Sequence, residues 1–263
     1  MGNLQNKCVV ITGASGGIGM EIARRAAGRG ARVVLLARSL DKLEQLKQEL
    51  SLQYKQDFYA YKLDVGKPED IEVVFTKIFQ EVGEVDVLVN NAGFGTFKQA
   101  VDTEIHEAEA MFDVNVIGLM ACTKMVLPSM LKRNEGHIIN IASQAGKMAT
   151  PKSSLYSATK FAVLGYSNAL RMEMMETNIH VMTVNPGPIE TNFFTIADDT
   201  GSYVKNIAKF MLKPGDVAEK IVAAMLTPKR EINLPGYMNA ASKFYNLFPR
   251  TAETLGKGAF FKK

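Results

Sequence analysis

The chain has no tryptophan, only two cysteines and only three histidines among its 263 residues. Cys8 opens an apolar run and Cys122 lies inside a helical pattern, so both read as buried reduced thiols rather than a disulfide framework. His106, His137 and His180 stand far apart, and none has a His, Cys or carboxylate at metal-ligand spacing. They read as surface or strand-end histidines, and no metal is expected. No run approaches the ~18 apolar residues of a membrane-spanning helix. The opening Met-Gly-Asn-Leu-Gln-Asn-Lys lacks the apolar core of a secretory signal. A reducing, cytoplasmic location is the expectation. Net charge is +4, with no basic stripe in the body of the chain, which argues against nucleic acid as a partner.

What is present is alternation. Short apolar runs at Cys8–Ile11, Arg32–Leu36, Phe58–Leu63, Val85–Val89, His137–Ile141, His180–Val184 and Glu231–Leu234 read as strands. Between them, helical periodicity covers Gly17–Ala27, Leu40–Leu52, Pro68–Glu81, a long segment Glu107–Arg133, Ser154–Met175 and Asp216–Leu226. Strands apolar at consecutive positions suit a parallel sheet covered on both faces. The fold class is therefore α/β, a Rossmann-type doubly wound sheet of about seven strands in the order 3-2-1-4-5-6-7. No linker or internal repeat is evident, so residues 1–263 read as one domain: a core over about 4–234 and a helical extension over about 235–263. The piece Pro186–Pro214 has the weakest periodicity, and a loop of that length in a compact domain reads as a lid or as a solvated connection.

Thr12-Gly-Ala-Ser-Gly-Gly-Ile-Gly19 follows the first strand and opens the first helix. Small residues there let the backbone approach a pyrophosphate, whose charge meets the helix N-terminal amides. At the end of the second strand, where a carboxylate would hydrogen-bond a ribose 2′-OH, the chain has Ala37 and Arg38. A guanidinium without a competing carboxylate suits a 2′-phosphate, so NADP(H) is the expected cofactor. Further on, Tyr156 and Lys160 sit four residues apart, one turn above each other on a helix. A cation there can stabilise a phenolate, letting a group of reference pKa about 10 exchange protons near neutrality. Ser143, thirteen residues upstream of Tyr156, can orient a carbonyl. A phenol that exchanges protons beside a dinucleotide points to alcohol–carbonyl redox chemistry.

With the glycine turn, Asn90-Asn-Ala-Gly93, Asn115, Ser143 and Tyr156-x-x-x-Lys160 in that order, residues 4 to 234 resemble the short-chain dehydrogenase/reductase family. The resemblance implies that Thr12, Gly13, Ser15, Gly17, Ile18 and Gly19 line the pyrophosphate and that Asp64 and Val65 contact adenine. Asn91, Ala92 and Gly93 would pass beside the cofactor ribose. Asn115 would be the catalytic asparagine that helps hold a water linked to Lys160. Pro186, Gly187, Ile189 and Thr191 would form the loop at the nicotinamide end, with Ile189 and Thr191 in contact. Tyr156 would be the general acid or base, Ser143 would polarise the substrate, and Lys160 would also reach the nicotinamide ribose. A homodimer or homotetramer built on the Glu107–Arg133 and Ser154–Met175 helices is implied as well.

The substrate is expected to be a small carbonyl or alcohol compound in a moderately apolar pocket of Phe94, Phe97, residues 145–149, Phe193 and Phe194. The Met172–Met175 piece reads as core or subunit-contact packing. Tyr237, Ala241, Phe244, Tyr245 and Phe248 repeat at helical spacing near several basic residues. That stripe reads as a cover for the substrate cleft or a partner subunit in preference to a membrane contact. Two other function classes remain in view. A nucleotide-sensing binding protein would lack the Ser, Tyr or Lys, and all three are present. An epimerase or dehydratase would need a longer C-terminal region.

Overall fold

The computed structural model describes residues 4–197 and 210–260. Seven strands form one parallel sheet: β1 (Cys8–Thr12), β2 (Arg32–Ala37), β3 (Phe58–Lys62), β4 (Val87–Asn90), β5 (Gly136–Ile141), β6 (Ile179–Pro186) and β7 (Glu231–Leu234). Their order is β3-β2-β1-β4-β5-β6-β7, as the alternation predicts. The chain order reverses between β1 and β4, which pair through Val9–Val87, Val10–Leu88 and Ile11–Val89. Ligands of such sheets bind outside the carboxyl ends of the strands at that reversal.

Ten α-helices are described: α1 (Gly17–Ala27), α2 (Leu40–Gln53), α3 (Pro68–Glu81), α4 (Ile105–Phe112), α5 (Gly118–Arg133), α6 (Ser154–Glu173), α7 (Phe193–Ala197), α8 (Pro214–Ala223), α9 (Gly236–Leu247) and α10 (Pro249–Phe260). The strand pleat divides the core in two. Val9, Ile11, Val33, Leu35, Val87 and Val89 face the layer of α1, α2 and α8. Cys8, Val10, Val34, Leu36, Leu88 and Ile138 face the layer of α3, α5 and α6. Neighbouring strand residues point to opposite sides, and helices cover both, so strands such as β1 and β2 are apolar at consecutive positions.

Several sequence expectations need correction. β4 begins at Val87 rather than Val85, because Asp86 serves the neighbouring strand: its carboxylate accepts from Cys8 N at 2.8 Å while its own N–H donates to Cys8 O at 3.0 Å. The long helix is not continuous: a π-helical turn, Asp113–Ile117, separates α4 from α5. Counted through that turn, Ile105–Arg133 is 29 residues and contains an 18-residue window of mean hydropathy 1.5, long and apolar enough by length and composition to cross a membrane. Its Val116, Leu119, Cys122, Val126 and Met130 are nevertheless buried within this fold. The segment Pro186–Pro214 contains α7, and its residues 198–209 lie outside the described part. His137 stands at the start of β5, a strand-end position, and is fully buried. Its Nδ1 accepts from Leu226 N at 2.9 Å, and burial pushes its pKa down to about 3. Both cysteines are buried, and desolvation raises each thiol to about 12. Met174 is buried while Met172 and Met175 are exposed.

Of the C-terminal stripe, Tyr237, Phe244 and Phe248 are exposed, while Met238 on the same helix lies against Gly187 in the loop after β6.

Candidate active site

The site is assembled at the carboxyl ends of β1 to β6, with α6 and the π turn adding side chains. The β1 contribution is Thr12 and the glycine turn. Thr12 Oγ1 accepts from both Asn91 N and Ala92 N at 3.0 Å, which ties the turn to the loop after β4. Asn91 Nδ2 returns two bonds, to Thr12 O at 2.9 Å and Gly13 O at 3.1 Å. Gly13 and Gly17 have φ of 67° and 55°, left-handed values that favour glycine. A Cβ on Gly19 would collide with Gly13 O and lie 2.5 Å from Asn91 Nδ2. Helix α1 has no side-chain cap and no acidic residue in its first turn. Its first backbone N–H groups therefore face the cleft end uncompensated, the chemistry an anionic phosphate requires. The residues fit a dinucleotide on these grounds.

At the end of β2, Arg38 is exposed and, among the described residues, forms no ion pair. After β3, Asp64 Oδ1 accepts from Gly66 N at 3.1 Å, and Val65 is buried with its carbonyl against Gly118.

The catalytic candidates meet on the other side of the reversal. Lys160, 5% exposed, donates from Nζ to Ile141 O at 2.9 Å. Its Nζ stands 5.7 Å from the centre of the Tyr156 ring. Burial lowers the Lys160 pKa to about 8. Asn115 sits in the π turn, where the extra residue turns its side chain away from the helix track. Its Oδ1 accepts from Phe94 N at 3.0 Å, and its Nδ2 donates to Phe94 O at 2.8 Å and Thr159 Oγ1 at 3.1 Å. A Cβ on Gly93 would lie 3.0 Å from Asn115 Oδ1 and 3.7 Å from Lys160 Nζ, so Gly93, Asn115 and Lys160 converge.

Ser143 ends the strand run at β5. Its Oγ accepts from Ala145 N at 3.0 Å, which also makes it the cap of a short turn. The next residue, Gln144, donates to Asn185 O at 2.8 Å and locks that turn to β6.

An aromatic group surrounds the Tyr156 ring. Phe193 lies 5.5 Å and Phe97 6.0 Å from it, centre to centre, and Phe194 packs 6.2 Å from Phe97. Phe97 N donates to Ala197 O at 2.9 Å, joining the loop after β4 to α7. Of the expected pocket, Phe97, Phe193 and Phe194 are brought together, whereas Phe94 is engaged through its backbone. Thr191 lies over the glycine turn, 3.3 Å from where a Gly17 Cβ would be. The Ile189 side chain is buried in the core beneath, so only its backbone is available to a ligand. Pro186 is buried, and Gly187 N donates to Leu234 O at 2.6 Å.

Two site residues escaped sequence reasoning. Thr159 holds Asn115, and its spacing of three from Tyr156 is a usable signal. Gly95 allows the Tyr156 ring its place, since a Cβ there would come within 2.7 Å of Tyr156 Cδ2. Among the described residues, no three His, Cys, Asp or Glu side chains converge as metal ligands.

Comparison with known proteins places this geometry in a class. The model of the short chain dehydrogenase family matches residues 7–200, and the chain belongs to that family. Mouse dehydrogenase/reductase SDR family member 7B is 34% identical over 267 residues, covering 98% of this chain and 80% of its own length. The NADP-dependent 3-hydroxy acid dehydrogenase of Schizosaccharomyces pombe is 36% identical over 236 residues, covering 86% of this chain and 89% of its own. A short chain dehydrogenase/reductase of Burkholderia phymatum, solved in complex with NAD, has the same fold: TM-score 0.87 at 22% identity, over 95% of this chain and 96% of that one.

Proposed function

We propose that this protein is an NADP(H)-dependent oxidoreductase that interconverts a carbonyl compound and a secondary alcohol, with Tyr156 as general acid and base. The observation that carries the reading is the convergence of Tyr156, Lys160, Asn115 and Gly93 at the strand ends beside the glycine turn. The nicotinamide, when bound, supplies or accepts the hydride.

Tyr156 donates its phenolic proton to a carbonyl oxygen in reduction and takes one from an alcohol in oxidation. The Lys160 ammonium offers a nearby cation to the charge left on the phenol oxygen. Burial makes that ammonium expensive: lowering its pKa from 10.5 to about 8 corresponds to roughly 3 kcal/mol at neutral pH. A buried lysine that donates to a neutral carbonyl, Ile141 O, is held for chemistry rather than for stability. Asn115 keeps the loop after β4 at the right distance from Lys160 through its paired bonds to Phe94. Ser143, whose hydroxyl donates to Pro186 O at 3.4 Å in the structure, polarises the substrate oxygen once substrate takes that bond. Phe97, Phe193 and Phe194 exclude water and favour an apolar substituent on the substrate.

Preference for NADP(H) rests on Arg38, which stands at the end of β2 with no competing ion pair, and on the name of the yeast relative. Assembly into a homodimer or homotetramer belongs to the same proposal, supported by exposed Leu131 on α5 and exposed Phe161 and Met172 on α6. The test is a panel of ketones, aldehydes and hydroxy acids incubated with NADPH or NADP, followed by cofactor absorbance. Turnover that disappears in Tyr156→Phe while cofactor binding persists supports the assignment. Turnover equal to wild type in that variant overturns it.

A further inference from the structure

Helix α9 is mounted with its polar side inward. Ser242 is 2% exposed, and Asn239 Oδ1 accepts from Lys147 Nζ at 3.2 Å. The same ammonium donates to Glu231 Oε2 at 2.6 Å and Asn233 Oδ1 at 2.8 Å on β7, so the helix is pinned to the sheet edge by hydrogen bonds. Its apolar stripe points the other way. Tyr237, Phe244, Leu247 and Phe248 are 58%, 42%, 72% and 55% exposed, and Leu255 on α10 is 77% exposed. Tyr237, Ala241, Phe244 and Phe248 follow the i, i+4, i+7, i+11 spacing of one helix face. In α1 the corresponding stripe, Ile22, Ala23 and Ala26, is buried against the sheet. An apolar stripe of this size turned to water marks a binding face.

The charge says what kind of surface fits it. Residues 236–263 carry Lys243, Arg250, Lys257, Lys262 and Lys263 against a single acid, Glu253. That excess equals the net +4 of the whole chain, so the remainder is neutral by count. Glu253 is engaged by the Tyr245 hydroxyl at 3.1 Å, which bridges α9 to α10. Among the described residues, Lys243 and Arg250 form no ion pair. An aromatic stripe flanked by unpaired basic groups is the composition of a helix lying in a membrane interface. A second copy would meet the face with the same positive charge, because a two-fold contact repeats the same patch on both sides. An anionic surface complements it.

We propose that α9 and α10 form a docking surface for an anionic lipid bilayer, with Tyr237, Phe244, Leu247 and Phe248 entering the interface and Lys243 and Arg250 meeting the headgroups. Tyr237, Phe244, Leu247 and Phe248 are exposed, whereas Lys160 is buried, so turnover in solution is expected not to depend on the stripe.

The experiment is flotation of the full chain with vesicles of phosphatidylcholine alone, or with phosphatidylserine added at roughly two to one, a serine-lipid-rich surface. Wild type is expected to float with the mixed vesicles at low salt, to be released at high salt, and to ignore phosphatidylcholine alone. Reversing both charges, Lys243→Glu with Arg250→Glu, should weaken partition by roughly 30-fold or more, since each basic group near such a surface counts about fivefold. Phe244→Ser with Leu247→Ser should abolish flotation while leaving cofactor binding unchanged, which also shows that the variant folds. Because the chain has no tryptophan, Phe248→Trp provides a single reporter whose emission should shift to the blue on mixed vesicles. Absence of flotation at low salt overturns the proposal. So does a wild-type dimer that becomes monomeric in the Phe244→Ser, Leu247→Ser variant, because a second copy then occupies the face.

Discussion

The two sides of the cleft are built by opposite means. On the β1–α1 side, shape comes from what is missing: Gly13, Gly17 and Gly19 leave room that a single methyl would fill. On the β5–α6 side it comes from bonds between side chains and backbone, with Asn115, Thr159, Lys160 and Gln144 each tied to a neighbouring element. The first side tolerates no addition, and the second tolerates removal of one reacting atom without losing its shape. Binding and chemistry should therefore separate under mutation.

The largest expected separation is Tyr156→Phe, which removes one oxygen from a ring held by Gly95, Phe97 and Phe193. Turnover should fall by roughly 10²–10⁴ with the cofactor dissociation constant unchanged, as stopped-flow and fluorescence titration would read. The mirror case is Gly19→Ala, where overpacking costs about 1–3 kcal/mol and displaces the glycine turn. Calorimetric titration should show both NADPH and NADH bound roughly tenfold to a hundredfold more weakly. Equal loss of binding in both variants would erase the contrast between the two sides. Arg38→Ala sharpens it within the binding side: NADPH should weaken by one to two decades, the range of a charge-assisted bond of ~1.5–3 kcal/mol, while NADH holds. Equal effects on the two cofactors would remove Arg38 from that role.

The smallest effect concerns pH. Burial depresses the Lys160 pKa from 10.5 to about 8, so the folded protein gives up this proton before the unfolded chain does. The ammonium is present below pH 8 and lost above it. For carbonyl reduction, kcat/KM should fall as pH rises through about 8. Between pH 8 and 10.5 the unfolded chain binds the extra proton, so this group's contribution makes stability rise with pH across that window. Lys160→Met should remove the fall in activity by removing the activity, and should not lower the melting temperature. A clear drop in melting temperature would show that the lysine is there for structure.

Much of this was legible in the sequence because the signals are local. Val9 to Thr12, the glycine turn and the start of α1 lie in one unbroken stretch, so strand, turn and helix can be read together. The same holds for Tyr156 and Lys160, one helical turn apart. Asn115 was legible as a residue but not as a geometry. The apolar period runs unbroken through Phe112, Val116 and Leu119, and nothing in it reports the π turn. The start of β4 was misread because Asp86 looks like an ordinary strand residue until its partner, Cys8 on β1, is known. The C-terminal stripe was legible in period and silent in direction. Which face of α9 turns inward depends on Lys147, 92 residues before its partner Asn239. The aromatic surroundings of Tyr156 are legible as a composition, and the fold sets Phe97 and Phe193 beside the ring with Phe194 packed on both.

The π turn at Asp113–Ile117 also acts as a phase adjuster. One additional residue advances the helix by about 100° at 3.6 residues per turn. The two ends of what looks like a single rod can thus obey different neighbours, α4 resting on α6 while α5 follows β4, β5 and α3. Neither end has to compromise its own fit, and the joint between them is where Asn115 emerges.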